Sequence, residues 1–164
     1  RKNLSKDIDH NSLKLLTKIF KGDYKLITKN INLIDDLNEK IIYLLKFIYY
    51  CNYLNPKSTN QEYPLLSNID KSDWDENMKL LIIIFRDLLL LSNQANEKKI
   101  ILSKYYDKYD KIIKKYYDAD FENCIKVIEK TTNYINQNGY FPLLMASLNI
   151  EIKRYLNNKN TKTF

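Results

Sequence analysis

Apolar positions recur every three or four residues along most of the chain, the period of helices that bury one face. The densest case is "LLIIIFRDLLLL" (80–91). On a helical wheel of residues 79–93, Lys79, Arg86, Asp87 and Asn93 gather within about a third of the circumference, shared with Ile83 and Leu90. The other two-thirds holds Leu80, Leu81, Ile82, Ile84, Phe85, Leu88, Leu89 and Leu91. This predicts a central helix over about 74–92, buried on most sides, with Ser72 or Asp73 as its cap. Arg86 and Asp87 would mark the narrow strip where that helix reaches solvent or a partner. Neighbours in sequence lie about 100° apart on a helix, so each is expected to find its partner elsewhere.

The remaining pattern predicts further helices around it. Leu13, Leu16, Ile19 and Phe20 share a face behind a start signal at Asp9, Asn11 and Ser12, and Gly22 ends that segment. A short second helix is expected over 24–29. Leu37, Ile41, Leu44, Leu45, Ile48 and Cys51 form the stripe of a helix over 33–54, with Asp35 and Asp36 at its positive end. Residues 55–73 carry two prolines and no helical period, so they read as either a surface loop, with a short turn at Leu65–Leu66, or a boundary between two helical subdomains. A fifth helix is expected over about 97–117, with Ile101, Tyr105, Tyr109, Ile112 and Tyr116 on one side and a break near 106–108. Phe121, Cys124, Ile125, Ile128, Thr132 and Ile135 give the cleanest stripe, capped by Asp120 and closed by "QNG", where Gly139 is free to turn left-handed. Pro142 then suits the first turn of a last helix carrying Leu144, Met145, Leu148, Ile152 and Leu156. The fold class is all-α, a six- or seven-helix bundle forming a single domain over 1–164. Its helical first part is 9–54, the loop 55–73, the second helical part 74–156, and the polar tail 157–164 is expected to fray.

Composition agrees with this and narrows the chemistry. Two glycines and three prolines in 164 residues leave little material for the tight turns of sheets and catalytic loops. The long apolar run spans 12 residues with two charges inside it, well short of the ~20 apolar residues that cross a bilayer. No GxxxxGK[ST] or GxGxxG occurs, the single histidine, His10, reads as a surface residue, and Cys51 and Cys124 lack metal or disulfide spacing. Two unpaired cysteines and the absence of a signal peptide lead us to expect a cytoplasmic protein. Paired acids such as Asp35–Asp36 and Asp118–Asp120 fall at helix starts, where capping explains them. No catalytic, cofactor or metal residue is assigned, and no cofactor is expected.

The net charge is +7 and the pI about 9.2. Lys outnumbers Arg 24 to 3 and accompanies many Asn, Ile and Tyr, all with A/T-rich codons, so genome composition accounts for the excess. Lys104, Lys108, Lys111, Lys114 and Lys115 form a basic face diluted by Asp107, Asp110 and Asp118. Contact with DNA is therefore expected to be weak at most, although a stand-alone basic helical nucleic-acid-binding module is the alternative function.

Three stretches carry a family resemblance. "FRDLLLL" (85–91), "FENCIKVIEKTTNYINQN" (121–138) and "NGYFPLLMASLNIEIKRYL" (138–156) resemble successive helices of the carboxy-terminal collar domain of bacterial DNA polymerase III clamp-loader subunits, delta-prime above all. In the last, Leu143, Met145, Leu148, Ile150 and Ile152 take the family's apolar places, while Tyr140 stands where a second asparagine is common and Pro142 comes one position late. "FKGDYKLITKNINLIDDLNEKIIYLLKFI" (20–48) is similar to the preceding helical pair. The resemblance implies a non-catalytic oligomerisation domain in a ring that loads sliding clamps during DNA replication, with the other clamp-loader subunits as partners. It also implies ATPase and lid domains outside this chain, which fits a piece that opens on Arg1. Together with the polar strip, it marks Arg86, Asp87, Asn93 and Asn138 as candidate subunit-interface residues.

Overall fold

A computed structural model describes residues 10–19, 22, 27, 34–53 and 65–157. Among them are six α-helices and no strand: α1 (His10–Ile19), α2 (Ile34–Tyr50), α3 (Trp74–Ser92), α4 (Tyr106–Lys115), α5 (Phe121–Asn136) and α6 (Phe141–Leu156). Short 3-10 turns cover Cys51–Tyr53, Leu66–Asn68, Glu97–Lys99 and Ser103–Tyr105. Most of the expected helix at 24–29, the part of the loop over 54–64 and the tail 158–164 lie outside the described residues.

The centre is α3, as its pattern requires. Trp74, Met78, Leu80, Leu81, Ile84, Phe85 and Leu88 are buried, and Ile82, Ile83, Leu89, Leu90 and Leu91 pack half-buried around them. Its most extensive neighbour is α5, and it also touches α1, α2 and α4. Asp73 takes the N-cap position without a capping side-chain bond. Asp75 and Glu76 meet the positive helix end instead, and Glu76 accepts a bond from Lys40 Nζ at 2.7 Å, tying α3 to α2.

On α2 the expected stripe is buried throughout, joined by Phe47. Tyr43 ties α2 to Leu65: its hydroxyl donates to the Leu65 carbonyl at 2.7 Å and accepts from the Leu65 N–H at 3.1 Å. α5 and α6 form a helical hairpin. Asp120 caps α5 through Oδ1, which accepts from the Asn123 N–H at 2.9 Å, and Thr131 rather than Thr132 takes the buried place on its inner face. Pro142 lies in the first turn of α6. The Asp120 N–H donates to the Tyr155 carbonyl at 3.0 Å, which fastens the start of α5 to the end of α6.

Two local expectations are corrected. The fifth helix does not begin near 97: two 3-10 turns flank Ile100–Leu102, and regular helix starts only at Tyr106. Ile100, Ile101 and Leu102 are all buried, and three successive residues cannot share one helical face. At the end of α5 the left-handed residue is Asn138 (φ 62), not Gly139.

Candidate subunit interface

Arg86 and Asp87 sit two-thirds of the way along α3, and the structure separates their roles. Asp87 is 0% exposed, so it does not belong to a solvent strip. Its Oδ2 accepts from the N–H groups of Ile101 at 3.0 Å and Leu102 at 2.9 Å, and the Tyr109 hydroxyl stands 3.5 Å away. A buried carboxylate is costly unless its lone pairs are filled, and here they are filled by backbone N–H groups that the extended turn at 100–102 leaves without helical partners. The carboxylate therefore dictates where α4 can begin. Burial, with the Asp87 charge beside it, pushes the Tyr109 phenol well above its ordinary pKa of 10.0, so that hydroxyl stays a donor.

Arg86 does find its neighbour. Its Nη1 donates to Asp87 Oδ1 at 3.0 Å and lies 3.5 Å from the Lys99 carbonyl. The 100° offset of adjacent residues holds for Cβ directions, and the long guanidinium stem folds back across it. With its side chain 37% exposed, Arg86 covers the Asp87 cluster and still presents an edge to solvent. Asn93 and Asn138 are exposed at the C-terminal ends of α3 and α5. Of the four candidates, Arg86, Asn93 and Asn138 can reach a partner and Asp87 cannot.

A stronger surface signal lies on α6. Its inner face carries Met145, Leu148, Ile152 and Leu156. Leu143 and Ile150 fall on the opposite side and are 66% and 67% exposed, with Tyr140 at 72% just before the helix. Ala146 and Ser147 between them are also exposed, leaving a continuous outer face. Leu143 and Ile150 were expected at apolar places of the last helix. A wheel of 141–156 already holds more apolar residues than one face accommodates, and that excess was the available signal.

Cys51 and Cys124 are buried free thiols, and burial pushes Cys51 up to about 12 and Cys124 further still. Among the described residues no group of three or more His, Cys, Asp or Glu could hold a metal ion, and no helix is long and apolar enough to cross a membrane. No protein family, curated protein or solved structure matches the chain.

Proposed function

We propose that this chain is a non-catalytic oligomerisation domain, the collar part of a bacterial DNA polymerase III clamp-loader subunit resembling delta-prime, which supports clamp loading during replication. The observation that carries the reading is the outer face of α6. Leu143 and Ile150 stand in solvent on one side of a helix that carries one of the three stretches of the resemblance. Burying a Leu or Ile side chain is worth roughly 1.5–3 kcal/mol, so a helix with large apolar residues on both sides is suited to two contacts, one inside the domain and one outside it. The all-α architecture around one buried helix supports the same reading, and Arg86, Asn93 and Asn138 would supply polar contacts at the rim.

Size-exclusion chromatography with the other clamp-loader subunits of the source organism tests this. The chain should co-elute with at least one of them, and a Leu143→Glu/Ile150→Glu variant should not, while its far-UV circular dichroism stays unchanged. Separate elution of the unaltered chain from every subunit would count decisively against the collar reading.

A further inference from the structure

In sequence, the lysines of α4 look diluted by aspartates. Along the groove between α2 and α4 the charged lining is lysine only, although Asp107 stands one turn before Lys111. Lys108, Lys111 and Lys115 follow each other at three- and four-residue steps, on the side of α4 turned toward α2. Asp110 lies on the other flank, held to Lys114 at 2.6 Å. Between α2 and α4 runs a groove of ≈270 Å³. Its apolar lining includes Ile42, Leu45 and Ile112, and its edges carry Lys46 on the α2 side and Lys108 and Lys111 on the α4 side. All three lysines are exposed and make no ion pair with a described residue.

We infer that this groove docks an acidic, amphipathic segment of a protein partner, its apolar side chains seated between α2 and α4 and its carboxylates paired with Lys46, Lys108 and Lys111. Charge complementarity chooses the sign: both edges are cationic, so an occupant with carboxylates on either side of an apolar ridge satisfies both. The floor chooses the class. A phosphodiester backbone has no apolar ridge to offer the half-buried Ile42, beneath which Leu45 and Ile112 are closed into the core. Bases would need open ring faces for stacking, and Lys115 Nζ already sits 4.2 Å from the Tyr49 ring centroid while donating to the Tyr49 carbonyl. The volume is also just below the ~300–1,000 Å³ of sites that enclose a small molecule, and suits side-chain anchors. This inference does not rest on the collar reading, because none of its residues lies on α6.

The test uses fluorescence anisotropy with three labelled probes: a Glu/Leu amphipathic helical peptide of about four turns, the same peptide with Gln for Glu, and oligothymidylate. The Glu/Leu peptide should bind in the micromolar range, at least about tenfold more tightly than the Gln/Leu peptide, and more weakly as salt is raised. Lys46→Glu/Lys108→Glu/Lys111→Glu should lower its affinity by about tenfold or more with an unchanged circular dichroism spectrum, and its amide shifts should map to α2 and α4. Leu143→Glu/Ile150→Glu should leave this binding intact, so loss of assembly and loss of docking are separable. Three results would overturn the inference: no binding of the Glu/Leu peptide, equal binding by the charge-reversed variant, or tighter binding of oligothymidylate through the same lysines.

Discussion

A single carboxylate shows how much one side chain can organise. Asp87 is fully buried, and its acceptors hold the turn that ends the α3–α4 connection. Removing it would leave the buried N–H groups of Ile101 and Leu102 and the Tyr109 hydroxyl without an acceptor. Asp87→Ala should therefore cost about 3–5 kcal/mol in urea unfolding, since an orphaned buried donor loses its whole desolvation cost. Asp87→Asn should cost less, keeping one oxygen while its amide turns donors toward donors. Arg86→Ala should cost at most about 1 kcal/mol, because its partly exposed guanidinium is screened by water. Equal losses for Asp87→Ala and Arg86→Ala would show that the carboxylate is not the anchor. The sequence did point at this pair, as two charges inside an apolar run. It could not reveal that residues 97–102 fold back over the helix and convert one of those charges from surface to core.

At the scale of elements, boundaries were legible wherever the pattern was strong. Trp74–Ser92 and Phe121–Asn136 begin and end where their apolar period and start signals place them. The segment after Asn96 departs from its pattern: Ile101, Tyr105, Tyr109, Ile112 and Tyr116 satisfy a helical spacing and are all buried, yet only 106–115 is α-helix. The deciding contact comes from Asp87, on another helix, and no local window contains it. The ends of α3 and α5 follow one scheme. Gln94 and Asn138 adopt φ 55 and φ 62, and the following N–H groups of Ala95 and Gly139 reach back to the carbonyls of Leu90 and Tyr134. A left-handed conformation disfavours side chains and spares Asn most, so Gln94→Gly should stabilise by up to about 1 kcal/mol and Asn138→Gly by less. Gly139 is needed for space: a Cβ there would lie 2.6 Å from Leu144 Cδ1 and 2.8 Å from the Tyr134 carbonyl oxygen. Because that oxygen is backbone and cannot swing aside, Gly139→Ala should lower stability by about 1–3 kcal/mol. Thermal melts of the three variants should rank Gln94→Gly above Asn138→Gly and both above Gly139→Ala; a neutral Gly139→Ala would refute the steric account.

Over the whole molecule, one continuous core runs from Leu15 and Leu16 on α1 to Leu156 on α6, and it buries Cys51, Cys124, Tyr105 and Tyr109, weak acids held neutral. Burial raises the thiols of Cys51 and Cys124 above their ordinary 9.0, and burial with the Asp87 charge raises Tyr109 above 10.0. Below pH 9 both folded and unfolded chains keep these protons, and the stability linked to them is fully present. As pH rises past 9 and then 10, the unfolded chain releases protons that the folded chain retains. The unfolded state then binds fewer protons, and stability falls by about 1.4 kcal/mol per pH unit for each group until its folded pKa is reached, about 12 for Cys51. Because the core is continuous, the loss should appear as one transition, seen alike by the fluorescence of Trp74, the only tryptophan, and by far-UV circular dichroism. The urea midpoint should stay level from pH 7 to about 8.5 and drop steeply above 9. In a Cys51→Ala/Cys124→Ala variant, a lower starting midpoint is expected from the lost packing, but the drop should begin near pH 10, where Tyr109 takes over. The same burial should leave both thiols inert to Ellman's reagent at pH 8 until urea opens the core. An onset that stays near pH 9 when the cysteines are removed would locate the alkaline sensitivity outside both thiols.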